Sequence, residues 1–329
     1  MIYFNSRKLL LTRFNGKNQA MRKIRHRCFS MGLIVIITAV ISAFIISGCA
    51  ITEKKLLIND NSISYPAGVI ISGKSGTPVL QEALLADLDS VRIVYVGENH
   101  RNLEHHKIQL GIIKEIHKKH PDLIIGMEMF AKNYQAVLDK WSEGLLEEKE
   151  FLQKSHWYVN WRFKYELYRD ILDFAREHRI RIIGLNIPSH IPPKISVGGI
   201  DNLLEDDRRY LPAEIDTTIE AHRTYLQKIF KFHTLPGRED FENFYMAQCA
   251  WEDTMAESIA LNLGSHPVVV IAGNGHIKNK FGIPDRAYKR TRVSFRTISL
   301  IPAGGNADLS CADYIWITPQ NSRQPRRWH

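Results

Sequence analysis

The first 48 residues contain no aspartate or glutamate, yet they carry eight lysines and arginines: Arg7, Lys8, Arg13, Lys17, Arg22, Lys23, Arg25 and Arg27. The remainder holds 36 basic against 35 acidic side chains, so the net charge of +9 belongs to the leading segment. That removes the usual electrostatic argument for a nucleic-acid partner. Residues 66–318 show no internal repeat and no low-complexity linker, which excludes a solenoid and a multi-domain string. Only four cysteines occur in 329 residues, too few for a disulfide-built scaffold. A P-loop, Gly-x-Gly-x-x-Gly, Gly-x-Ser-x-Gly and His-Glu-x-x-His are all missing, so nucleotide binding and serine-esterase or zincin chemistry lose their common signatures. With 44% hydrophobic and 24% charged residues the chain is neither disordered nor fibrous.

One long apolar run is present. Met31 to Ile46 is uncharged and ends in Ile46-Ser47-Gly48-Cys49. A basic region, an apolar region and small residues before a cut describe a secretory signal. The terminal motif resembles the lipobox of bacterial lipoproteins, which implies cleavage before Cys49 and acylation of that cysteine. Several acyl chains on one residue would anchor it stably. The competing expectation is an uncleaved membrane helix, since Cys28 to Thr52 is long enough to span. Met21 offers a second start that leaves a signal of ordinary length. The expected organisation is a signal at 1–48, a lipidated N-terminus and tether at 49–66, and a single domain at 67–329. Cys249 and Cys311 remain in the mature chain, either as one disulfide or as buried free thiols.

From Ser90 onward short apolar runs alternate with helical periodicity. Strands are expected at Val91–Val96, Leu123–Met127, Ile180–Leu185, Pro267–Ala272, Arg292–Leu300 and Tyr314–Thr318. Helices are expected at Asn102–Lys119, Phe163–Arg179 and Arg238–Leu263. This is an α/β fold, a mainly parallel sheet flanked by helices, with a helical insertion at about 190–262. Strand order cannot be read from the pattern.

Polar residues gather at the strand ends, where open parallel sheets bind ligands. Gly97-Glu98-Asn99-His100, Gly126-Met127-Glu128, Gly184-Leu185-Asn186 and Gly273-Asn274-Gly275-His276 each follow or close a strand. His100, His276 and Glu128 are therefore expected to converge on one rim. Such a group has three uses. His100, His276 and Glu98, or Glu128 in its place, could ligate a divalent metal. His100, His276 and Glu128 could do general acid–base work as a hydrolase. Or the rim could contact a bound cofactor. Glu104-His105-His106 is metal-like in composition, but adjacent helical residues point apart.

A second constellation is aromatic: His156-Trp157-Tyr158-Val159-Asn160-Trp161, then Phe241 to Gln248 with Tyr245 and Met246, Trp251, and Tyr225 on the preceding helix. Such residues supply walls for a flat apolar ligand, or plain helix core.

Together these residues resemble a known family. Gly97-Glu98-Asn99-His100, Met127-Glu128-Met129-Phe130, Tyr245-Met246-Ala247-Gln248, Trp251-Glu252-Asp253-Thr254 and Ala272-Gly273-Asn274-Gly275-His276 followed by Gly282-Ile283-Pro284 are similar to the ChaN family of haem-binding lipoproteins, in a superfamily with Tiki, TraB and erythromycin esterase proteins. The resemblance implies haem as cofactor, a role in haem or iron uptake, and dimerisation around haem. The cofactor-binding residues would be His100, His276, Glu128, Tyr225, Tyr245, Met246 and Trp251. As axial iron ligand Tyr225 or Tyr245 is favoured, because phenolate suits ferric iron, with His100 or His276 as the competing choice. Expected partners are haem, the membrane through the lipid anchor and an outer-membrane haem or iron receptor, with no nucleic acid. Ala50 after Cys49, not Asp, resembles the outer-membrane sorting signal of enteric bacteria, so the expected location is the cell envelope at the outer membrane. A metal-dependent or His/Glu-based hydrolase is the alternative.

Overall fold

The computed structural model describes residues 54–231 and 240–320. Eleven strands carry the fold: β1 Lys55–Ile58, β2 Ile63–Pro66, β3 Ile70–Ser72, β4 Pro78–Val79, β5 Ile93–Glu98, β6 Ile124–Ala131, β7 Arg181–Asn186, β8 Val268–Gly273, β9 Phe295–Pro302, β10 Asn306–Ala307 and β11 Tyr314–Thr318. Eight of them form one sheet in the order β4-β3-β11-β9-β5-β8-β6-β7. The run from β11 to β7 is parallel, and β3 and β4 close one edge antiparallel. A smaller sheet has the order β10-β1-β2.

The central strands are buried on both faces, and their side chains alternate between two cores as the two-residue period of a strand demands. Val94, Val96, Val269, Ile271, Ile125 and Met127 enter one core, with Ile112, Ile113 and Trp141 from the covering helices. Ile93, Tyr95, Val268, Val270 and Ile124 enter the other, under Met255, Ile259 and Ile283. The helix Leu103–Lys119 is capped by Asn102, whose side chain accepts from the Glu104 amide. Asp240 caps the 22-residue helix Phe241–Asn262 by accepting from the amides of Glu242 and Asn243.

The α/β sheet with a helical insertion is as expected, and the insertion holds the helices Ile191–Gly198, Glu205–Arg208, Glu220–Phe230 and the start of Phe241–Asn262. Differences lie at the ends. The helix expected at Phe163–Arg179 forms only over Arg169–Glu177, preceded by a short 3-10 turn at Tyr165–Leu167. The last stretch of the expected tether is folded: β1 and β2 lie within it, and Leu56 and Ile58 are fully buried against Ile315 and Ile317. Cys249 and Cys311 are free, buried thiols in separate hydrophobic clusters, so the disulfide alternative is corrected. Residues 1–53, with the signal, Cys28 and Cys49, lie outside the described residues. Among the described residues no helix is long and apolar enough to cross a membrane.

Candidate functional site

The register of the sheet builds the site. Glu98, the last residue of β5, pairs with Gly273, the last of β8, while Met127 of β6 pairs with Ile271 of β8. Three neighbouring strands therefore deliver Glu98, Gly273 and Glu128 to one edge. A β-bulge separates Met127 from Ala131 where β6 pairs with β7, and Glu128 lies in it.

His100 and His276 line the same cleft as Glu128, as the strand-end argument expects. The cleft measures about 490 Å³. Trp161 and Phe163 form one wall, and Phe244 and Trp251 come from the long helix. Pro192 and Ser196 of the helix Ile191–Gly198 also line it, as do Arg101 and Arg162 at the chain segments beside His100 and Phe163. His100 packs on Trp161 with ring centroids 4.9 Å apart and on Phe163 at 4.7 Å; Trp251 lies 5.0 Å from His276.

Glu98 is fully buried beneath His100. Its Oε1 accepts from His100 Nδ1 at 2.7 Å and from the Tyr168 hydroxyl at 2.5 Å. Its Oε2 accepts from Gln109 Nε2 at 2.9 Å and faces His106 Nδ1 at 3.2 Å. Burial raises its pKa, but the hydrogen bonds from His100 and His106 outweigh that and hold the carboxyl well below its usual range. His106 donates from Nε2 to the His100 carbonyl oxygen, and although burial opposes its charge, Glu98 raises its pKa. His105 is different. Its Nδ1 accepts from the Asn99 amide, its Nε2 meets Thr318 Oγ1, and burial pushes its pKa down to about 4. Both histidines are thus structural, and the Glu104-His105-His106 run makes no common site.

On the other side Glu128 Oε2 accepts from the Gly273 amide at 2.6 Å, and Glu128 Oε1 lies 3.4 Å from His276 Nε2. His276 Nδ1 faces Glu252 Oε1 at 3.2 Å. Burial opposes the charge of His276, but the two carboxylates prevail and lift its pKa to about 10, so the ring is an imidazolium at neutral pH. Glu252 Oε2 faces His222 Nε2 at 3.3 Å and Arg286 Nε at 3.6 Å. Arg286, with no exposure, also pairs with Asp253 and donates to the Asp216 carbonyl. A chain of alternating charge runs from the cleft floor into the protein: Glu128, His276, Glu252, Arg286, Asp253.

This geometry separates several expected ligands from the cleft. Tyr245 is 1% exposed, and its hydroxyl donates to the carbonyls of Thr217 and Ile219 away from the cleft. Tyr225 lines a separate cavity with Asn274 and Lys278. Met246 packs into the cluster around Ile191 and Ile195, not into the cleft. Trp251 does line it. The metal set His100, His276 and Glu98 is not assembled, because Glu98 is enclosed by its own donors and both His276 nitrogens face carboxylates. Among the described residues no group of three or more His, Cys, Asp or Glu has a metal-holding arrangement. Of the aromatic run, Trp157 is core, packed on Phe130, Tyr165 and Tyr168, and Trp161, with Asn160 before it, reaches the cleft.

Sequence reasoning gave no role to Tyr168, Gln109, Glu252, His222 and Arg286. The one signal for them is Glu252-Asp253 set inside an otherwise apolar helix face, since buried acids require buried partners.

Among solved structures, the chain resembles that of cofacial haem binding to ChaN of Campylobacter jejuni, with 18% identity and a TM-score of 0.61 over 75% of this chain and 95% of that one. An erythromycin esterase mutant, EreC in its open conformation, is more distant, with 13% identity and a TM-score of 0.43 over 71% of this chain and 77% of that one. No curated protein matches the chain. The family model for haem-binding uptake proteins of the Tiki superfamily, ChaN, matches residues 84–287, from the first covering helix to the helix after His276, and the chain belongs to that family.

Proposed function

We propose that the chain is a membrane-anchored haem-binding lipoprotein of the cell envelope that takes part in haem or iron uptake. One observation carries the binding reading: a single cleft joins aromatic walls, a histidine nitrogen without a hydrogen-bond partner, and two arginines without carboxylate partners. His100 Nδ1 is committed to Glu98, which leaves Nε2 unpartnered among the described residues. Arg101 lies over the Phe163 ring at 5.7 Å, and neither it nor Arg162 makes an ion pair among the described residues.

The residues present fit a haem. The volume falls within the roughly 300–1,000 Å³ of small-ligand sites. Two buried polar atoms in its lining, Ser196 Oγ and Trp251 Nε1, have no hydrogen-bond partner. Trp161, Phe163, Phe244 and Trp251 would hold the apolar body, Arg101 and Arg162 the propionates, and His100 the iron through Nε2. His276 is unsuited to ligation because both its nitrogens face carboxylates. Haem would supply an iron centre with axial positions for such a donor.

Lipid anchoring through Cys49, an outer-membrane location, a haem-linked dimer and a receptor partner belong to the same proposal. They rest on the Ile46-Ser47-Gly48-Cys49 motif and on family membership. Mass spectrometry of the mature N-terminus tests the anchor: a diacylglyceryl-modified Cys49 is expected, and an unacylated N-terminus at another residue contradicts it. Haemin added to the full-length chain tests binding. A saturable Soret shift at a simple ratio is expected; uptake no better than by an unrelated protein of similar aromatic content contradicts it.

A second reading rests on one observation for which haem binding has no use, the charge chain Glu128–His276–Glu252–Arg286 below the cleft. His100 beside a cationic His276 and Glu128 is an acid–base set suited to hydrolysis. Turnover of ester or peptide substrates, lost in His100→Ala, would favour it.

A further inference from the structure

Four donors from three elements converge on one buried carboxylate at the floor of the cleft. Glu98 closes β5; His106 and Gln109 stand on the helix Leu103–Lys119; Tyr168 precedes the helix Arg169–Glu177; and His100 follows β5 directly. A carboxylate meeting only donors must itself be the acceptor at every contact, so the Nδ1 of His100 carries a proton, and in the neutral ring the lone pair falls on Nε2. The same Glu98 oxygen, Oε1, receives both His100 Nδ1 at 2.7 Å and the Tyr168 hydroxyl at 2.5 Å.

We propose that Glu98 is the positioning residue of this cleft, fixing His100 in the Nδ1–H tautomer with a bare Nε2, and that Tyr168 moderates the grip by sharing Oε1. The inference rests on the cleft being a ligand site served by His100, and it adds what sets the strength of that donor. A carboxylate behind an imidazole orients the ring and raises its basicity toward an electrophile on the far nitrogen. Tyr168 withdraws part of that charge, because an oxygen that accepts two hydrogen bonds offers less to each. His106 and Gln109 hold the opposite oxygen, so the carboxylate cannot rotate away from His100. The ring itself is clamped between Trp161 and Phe163. The tautomer and the hydrogen-bond strength of the donor are therefore set by Glu98 and its buried partners, which do not line the cleft.

The arrangement makes a prediction of opposite signs. Tyr168→Phe frees Oε1 for His100 alone and strengthens the Nδ1–H bond. Glu98→Gln keeps an acceptor but removes the charge, which weakens the bond, since charge-assisted hydrogen bonds are about twice as strong as neutral ones. A general loosening of the floor would weaken it in both variants.

The experiment uses the full-length chain without ligand, labelled with nitrogen-15 at histidine. The His100→Ala spectrum identifies the His100 resonances. The expected result is an unprotonated Nε2 and a protonated Nδ1 in the wild type, with the Nδ1 proton moving downfield in Tyr168→Phe and upfield in Glu98→Gln. An Nε2–H tautomer in the wild type, or shifts of the same sign in the two variants, overturns the proposal. Haemin titration of the same proteins separates the two ideas. If the tautomer and the opposed shifts are found but His100→Ala binds haemin as the wild type does, the positioning role stands and the haem reading of His100 fails. If His100→Ala loses haemin while the tautomer is Nε2–H, the haem reading stands and Glu98 is not its positioning residue.

Discussion

The backbone amide of Gly273 donates to the Glu128 carboxylate at 2.6 Å, joining two residues 145 positions apart on adjacent parallel strands. This contact sets the floor of the cleft, and the imidazole of His100 beside it is what requires a glycine at residue 273. Its backbone φ of −59° suits any residue, so space and not conformation is the constraint. A Cβ there would lie 2.9 Å from His100 Cε1 and 3.1 Å from Nε2. Gly273→Ala is expected to push the imidazole out of place, weakening haemin binding about tenfold, as loss of ligand orientation does at metal sites. The overpacking cost should stay within about 1–3 kcal/mol. Isothermal titration and urea unfolding check the two parts; unchanged haemin affinity would contradict the placement of Nε2.

His276 separates two buried carboxylates. Replacing it by alanine leaves Glu128 and Glu252 facing each other's charge without a cation between them. The expected loss is about 3–5 kcal/mol of unfolding free energy, the cost of breaking a buried ion pair from one side. Urea unfolding at pH 7 measures it, and a loss below about 1 kcal/mol, the level of an exposed pair, would mean that the ring is not an imidazolium there.

Two histidines give the stability profile opposite slopes. The pKa of His276 is raised to about 10, so its contribution is complete below the unfolded value of about 6.5 and is lost as pH rises toward 10. The pKa of His105 is lowered to about 4, so its contribution is complete above about 6.5 and is lost as pH falls toward 4. Unfolding midpoints should therefore decline on both sides of neutrality, and His276→Gln should flatten the alkaline side alone. A wild-type midpoint that climbs steadily to pH 9.5 would contradict the His276 assignment.

The tyrosines answer a direct question about iron ligation. With its hydroxyl bonded to two backbone carbonyls, Tyr245 is committed to holding residues 217–219 against the long helix. Tyr245→Phe is expected to cost about 1 kcal/mol of stability and to leave the Soret spectrum of the haemin complex unchanged. Tyr225→Phe should leave that spectrum unchanged as well. Loss of a ligand-to-metal charge-transfer band in either variant would favour the phenolate over His100.

Much of this was legible in the sequence because parallel strands buried on both faces read as unbroken apolar runs. VRIVYV and PVVVIA announce β5 and β8 to within two residues, and the polar residues at their ends follow from strand geometry alone. What stayed hidden was non-local. The order that places β8 between β5 and β6 has no local signature, and β1, β2 and β10 are two to four residues of mixed polarity that become strands only by pairing with one another. That Tyr225 and Tyr245 lie outside the cleft was not legible, because helical spacing places residues on a face without saying which neighbour that face meets. Tyr168 was passed over for the opposite reason: it reads as one more core aromatic, and its hydroxyl gains meaning only beside Glu98, 70 residues away.

The central claim is that His100, through Nε2, is the donor by which the cleft holds haem. Haemin titration of the full-length wild type against His100→Ala, followed in the Soret region, tests it most directly. The account predicts a saturable spectral shift in the wild type and an affinity lower by about 10–100-fold with an altered spectrum in His100→Ala. An unchanged affinity and spectrum in that variant would contradict it.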